Sequence, residues 1–100
     1  MKNNLENLEI LLSRAEKKAR DDAKMIIREQ HCRAFVAERY LNLLKRVDKN
    51  PYSPFQGQGR IAYERYSAVL NTILDSRNQG KRLKGAETPP WDYIPEKLNI

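Results

Sequence analysis

NLENLEILLSRAEKKARDDAKMIIREQHCRAFVAERYLNLLKRVD, residues 4–48, runs for forty-five residues without a glycine or a proline. Leu5, Leu8, Leu12, Ala15, Ala19, Ala23, Ile26, Ala34, Ala37, Leu41 and Leu44 recur through it, mostly at steps of three and four, the spacing that keeps side chains on one face of a helix. The reading is a single helical rod. At about 1.5 Å per residue it is roughly 65 Å long, more than the rest of a 100-residue chain can cover. Part of its apolar stripe, Leu5 through Ala23, is therefore expected to face another chain. Asp21-Asp22 is the one place where the rod is expected to break if it breaks, because aspartate caps helices well and extends them poorly. A strict heptad from Leu5 sets Asp22, Glu29 and Arg33 on the seam, which argues against a regular coiled coil.

Working outward from the rod, Asn3 or Asn4 can cap its start, with Glu6 completing a capping box. Asn50-Pro51 stops it, since proline disfavours the helical conformation of the residue before it. NPYSPFQGQG, residues 50–59, reads as an ordered proline-rich connection in which Pro51, Tyr52 and Phe55 cap the core. A second helix is expected over 60–78, with Ala62, Tyr66, Val69, Leu70, Ile73 and Leu74 on its apolar stripe and Gly80 as its stop. About 28 Å long, it would fold back antiparallel over the rod from Asp48 to Arg28. Phe35, Tyr40, Tyr63 and Tyr66 are expected to pack inside. The fold class is thus all-α: a long N-terminal helix, a shorter antiparallel helix, a proline-rich connecting loop and an extended C-terminal arm. Residues 1–80 would form the helical hairpin domain and residues 81–100 a basic, proline-rich arm holding Trp91, Tyr93 and Ile94 in extended geometry.

Composition narrows the function. Nineteen Lys and Arg against 13 Asp and Glu give a formal charge of +6, a bias toward polyanions. No apolar run approaches the ~18 residues of a membrane span, and the first residues lack the apolar core of a secretory signal. A lone cysteine, Cys32, forms no disulfide within the chain. The expected location is cytoplasmic. His31 and Cys32 are adjacent, so on a helix they point about 100° apart and share neither a metal nor a reaction. One histidine and one cysteine do not make a zinc site. Gly57-Gln58-Gly59 before Arg60 is a weak anion seat, with backbone N–H groups free near a helix start.

No catalytic, metal or cofactor motif emerges, and no small-molecule substrate or membrane is implied. The leading expectation is a small non-catalytic binding module that engages and modulates a protein partner through Leu5, Leu8, Leu12, Trp91, Tyr93 and Ile94. The positive charge favours a nucleic-acid-processing host enzyme as that partner. In general character only, and on no residue motif, the chain resembles small phage and plasmid proteins that redirect host enzymes. One alternative is non-specific nucleic-acid binding through Lys45, Arg46, Lys49, Arg60, Lys81, Arg82 and Lys84. The other is a self-assembling structural subunit held together through the N-terminal helix.

Overall fold

In a computed structural model, which describes residues 4–77, 82–86 and 91, the chain is all-α. Three helices and no strand occur among the described residues: α1 Asn4–Glu29, α2 Arg33–Lys49 and α3 Gly59–Asp75. The single rod is therefore two helices, and the break falls at Gln30 to Cys32, away from Asp21-Asp22. Gln30 takes a left-handed backbone conformation, φ 57°, and Cys32 is extended before the first turn of α2. A left-handed non-glycine residue costs about 1–2 kcal/mol. Bending offsets that cost, because it lets both halves of the former rod pack against α3. Burying one large apolar side chain contributes about 1.5–3 kcal/mol, and the bend buries several.

The helices are ordered by their contacts. The start of α2 meets the end of α3, where Arg33 bonds Asn71 and Asp75. The end of α2 meets the start of α3, where the Gly59 N–H donates to Asp48. These two helices are antiparallel. Along α1, Asn7 pairs with Pro54, Glu16 with Arg65 and Asp22 with Tyr66, in the same chain order, so α1 and α3 run parallel. α3 is the central element: α1 packs chiefly on it and barely touches α2.

Leu11, Ala15, Ala19, Ala23 and Ile26 of α1 are buried with Val36, Ala37, Tyr40, Leu41 and Leu44 of α2 and Ala62, Tyr63, Tyr66, Leu70 and Leu74 of α3. This overturns the expectation that the stripe from Leu5 to Ala23 is uncovered: Ala15, Ala19 and Ala23 are buried and Leu8 and Leu12 half-buried, and only Leu5 of its named residues stays exposed. The alanine strip is what lets α3 approach: with no side chain beyond Cβ at 15, 19 and 23, Tyr66 fits between the helices. Tyr66 lies 4.6 Å from Tyr40 and 5.8 Å from Tyr63, ring centre to ring centre. Its hydroxyl donates to the buried Asp22 carboxylate at 2.6 Å, and Lys18 reaches the other oxygen of the same group at 3.2 Å. Asp22 thus sits inside the helix as an acceptor and does not cap a new one.

The connection at 50–58 is ordered by its own side chains, Asn50 accepting from the Tyr52 N–H and Ser53 from the Phe55 N–H. Phe55 is half-buried, with the Arg14 guanidinium 5.2 Å from its ring centre, and Asn7 donates to the Pro54 carbonyl. Pro51 and Tyr52 do not cap the core: both are exposed, Tyr52 to 92%. Nothing in the loop lies above Tyr52 to receive it.

Candidate functional site

Residues 82–86 and 91, beyond α3, lie on the protein's own core. Asn71 donates through Nδ2 to the Leu83 carbonyl at 2.8 Å and accepts the Leu83 N–H at 3.0 Å, gripping an extended backbone at two points. Arg82 Nε donates to Asp75, and Arg60 Nε donates to the Ala86 carbonyl. Trp91 is half-buried, 6.4 Å from Tyr63, its ring close to Gly59. Residues 82–86 and 91 thus follow α3 backwards as a strap. Trp91, expected to reach a partner, packs on its own core because the shallow space beside Gly59 and Tyr63 accepts its ring. Tyr93, Ile94 and Lys81 lie outside the described residues.

Beneath the strap is an ion network built on one buried arginine, which the sequence did not announce. Arg33, 1% exposed, donates to Asn71 at 2.8 Å and to Asp75 at 3.0 Å. Arg82 and Arg33 bracket the Asp75 carboxylate and hold its pKa below the ordinary aspartate value. Arg82 is therefore spoken for by Asp75, and Arg60 by the strap. Neither is placed as an open phosphate contact. The anion seat at Gly57-Gln58-Gly59 is filled in the same way, since Asp48 accepts the Gly59 N–H at 2.9 Å. His31 and Cys32 are exposed in the bend, His31 at 2.9 Å from the Glu29 carboxylate. No cluster of three or more metal-binding side chains occurs among the described residues.

The N-terminal leucines divide. Leu8 and Leu12 are half-buried against the molecule, while Leu5 is 64% exposed. A chain-external face on all three is not what the fold presents.

Positive charge gathers on α2. α1 carries six basic and six acidic residues, and α3 two of each, whereas α2 carries Arg33, Arg39, Lys45, Arg46 and Lys49 against Glu38 and Asp48. Of these, Arg33 and Asp48 turn inward to α3. Phe35, Arg39, Asn42, Arg46 and Lys49 fall within about 80° of one another at 100° per residue, opposite the buried Tyr40 and Leu44, and extend about 21 Å along the axis. Phe35, Arg39, Arg46 and Lys49 are exposed, and no ion pair joins these three cations to any described carboxylate. Lys45 flanks them, half-buried, as does Leu43, which is exposed.

The chain matches no protein-family model, no curated protein and no solved structure. Among the described residues no helix is long and apolar enough to cross a membrane.

Lys45, Arg46 and Lys49 are among the expected basic contacts, whereas Arg39 is not, and Phe35, expected inside, is in solvent. The spacing counted from Leu5 holds on α2, where Ala37, Leu41 and Leu44 are buried, and it sets Phe35 about 120–180° round the helix from them; the ring's apolar character alone argued for the interior. Phe35 is 55% exposed, and Arg39 lies over its ring at 5.8 Å from the centre. Lys84 is exposed on the strap, beside α3.

Proposed function

We propose that this protein is a non-catalytic module that binds the sugar-phosphate backbone of nucleic acid through the outward face of α2. The supporting observation is the segregation of charge: the other two helices are neutral, and the cations of this face, Arg39, Arg46 and Lys49, have no described carboxylate to answer them. A face of this kind attracts phosphates without reading sequence, because it offers charge and no set of amide side chains matched to base edges. Three phosphate contacts give a slope of log affinity against log salt of about −2 on single strands and about −2.7 on duplex. Raising salt from about 50 to 200 mM then weakens single-strand binding about twentyfold. Fluorescence anisotropy of a labelled oligonucleotide across that salt range is the test. Replacing Arg39, Arg46 and Lys49 together by Gln should flatten the slope by about 2 while the helical circular-dichroism signal stays, since all three side chains are in solvent. Affinity indifferent to salt, or unchanged by the triple replacement, would remove this reading.

A protein partner is the second reading, and one observation favours it: Leu5, in the first turn of α1, is 64% exposed. Its contact set is Leu5, with the half-buried Leu8 and Leu12 beside it on the helix. Leu5→Ser should then weaken capture of that partner with no loss of thermal stability. A drop in melting temperature would assign Leu5 to the fold.

A further inference from the structure

We infer that the nucleic acid held on α2 is single-stranded, with Phe35 as the platform on which one base stacks. This rests on the backbone-binding reading above and goes further, since phosphate contacts alone do not distinguish one strand from two. The observation is the place of the ring. Phe35 is an aromatic side chain 55% exposed, and it stands on the same arc of the helix as Arg39, Arg46 and Lys49. Leaving so much apolar surface in water forgoes the gain of burying it, and the residue contributes little to the core, which α2 joins through Ala37, Leu41 and Leu44 on its far side. The Arg39 guanidinium lies over the ring, 5.8 Å from its centre, and more than half of the Phe35 side chain stays open to solvent. A base laid on the open part would gain stacking on Phe35 and a cation at its edge, the pairing of aromatic ring and arginine that serves unstacked bases.

Geometry separates the two forms of nucleic acid. In a duplex the faces of internal bases are already covered by their neighbours, so a ring standing on a convex helix surface meets only the backbone. A single strand can turn one base onto the ring and run its phosphates past Arg39, Arg46 and Lys49 along the roughly 21 Å of α2 that they span. The order is fixed: the base sits at the start of α2, near the bend, and the phosphates follow toward Lys49. An acidic protein surface would answer the cations equally well. It has no planar apolar group to place on Phe35 without bringing an aromatic or proline side chain of its own.

The experiment compares a labelled oligothymidylate with a duplex of equal length, at one low salt concentration, for the wild-type protein and for Phe35→Leu, Phe35→Trp and the triple glutamine variant. The single strand should bind more tightly than the duplex. Phe35→Leu should lower single-strand affinity about tenfold, as expected for one lost stacking contact, with the salt slope unchanged because no charge is removed. Phe35→Trp should restore the affinity, and its added fluorescence, read against the wild-type Trp91 signal, should be quenched when the oligonucleotide binds. Equal affinity for both forms, with no effect of Phe35→Leu, overturns the stacking platform and leaves backbone binding standing. Failure of either form to bind at low salt overturns both. Salt-insensitive capture of an acidic protein by the wild type, lost in Phe35→Leu, would give the ring to a protein partner instead.

Discussion

Replacing Tyr66 by Phe removes one oxygen from the centre of the molecule and little else. The ring keeps its neighbours, Tyr40 at 4.6 Å and Tyr63 at 5.8 Å, so no cavity larger than a hydroxyl is made. What is lost is the donor to Asp22 at 2.6 Å, which leaves a carboxylate oxygen facing an apolar ring on a side chain only 5% exposed. A hydrogen bond to a charged group contributes about 1.5–3 kcal/mol, and an abandoned buried acceptor puts the cost at the upper end. A loss of about 2–3 kcal/mol from a total of about 5–15 kcal/mol is large. At about 4–8 °C per kcal/mol for a chain of this size, the melting temperature should fall by about 10–20 °C. The partner variants sharpen the case. Asp22→Asn keeps an acceptor for the phenol and loses mainly the attraction to Lys18, whose side chain is 45% exposed, so it should cost about 1 kcal/mol or less. Asp22→Ala strands the hydroxyl and should cost as much as Tyr66→Phe. The double variant, with both polar groups gone, should be no worse than either single one. Urea melts followed by circular dichroism give all four values. If Tyr66→Phe lies within about 0.5 kcal/mol of the wild type, or if the two single costs simply add, the bond is not the interior contact described above.

Two further outcomes follow from the same interior. Burial pushes the phenols of Tyr40 and Tyr63 up to about 12 from an ordinary value of 10.0, and Tyr66 moves the same way, through burial first and then its bond to Asp22. The folded state therefore holds these protons more tightly than the unfolded one, so stability should be whole below pH 10 and lost as pH rises from 10 toward 12, with tyrosinate absorbance appearing together with unfolding. At Gly59, a Cβ would stand 2.7 Å from the Leu44 carbonyl oxygen and 3.1 Å from Trp91. Because the first of these is backbone, Gly59→Ala should part α2 from α3, cost about 1–3 kcal/mol and expose Trp91 to solvent quenchers; an unshifted melt would show that the two helices are not in contact there.

The elements of this fold are largely visible in the chain, and their arrangement is not. Helix content follows from the spacing of leucine and alanine, the end of α2 at Lys49 follows from Asn50-Pro51, and Ala62, Tyr66, Leu70 and Leu74 are buried where periodicity sets them. The bend at Gln30 carries neither glycine nor proline. Its one trace is a stretch from Arg28 to Arg33 with no aliphatic or aromatic side chain, the longest such gap between residues 4 and 48. A charged residue in that gap reads as solvent-facing. Arg33 is buried only because Asn71 and Asp75, 38 and 42 residues away, converge on it, and no local pattern encodes that meeting. The same reasoning covers Asp22, whose partner Tyr66 is 44 residues distant. Of the candidate site, Arg46 and Lys49 were legible as charge. Arg60 and Arg82 were not legible as internal ties, because the strap that uses them is an extended segment with no periodicity to betray its path.

The parallel pairing of α1 with α3 sets the order in which this chain can fold. Between Glu29 and Gly59 lie roughly thirty residues, and until they are made α1 has no surface on which to lay Ala15, Ala19 and Ala23. α2 can only wait beside it, since the two barely touch. A helix pair joined by a tight turn closes on itself early, whereas here the first helix must be joined from a distance, which raises the loop-closure entropy ahead of any gain from packing. The arrival of α3 is thus the committing event for the whole domain. Residues that help α3 hold together on its own should set the speed of folding, and residues in the strap, which arrives after it, should set only how fast the finished protein comes apart.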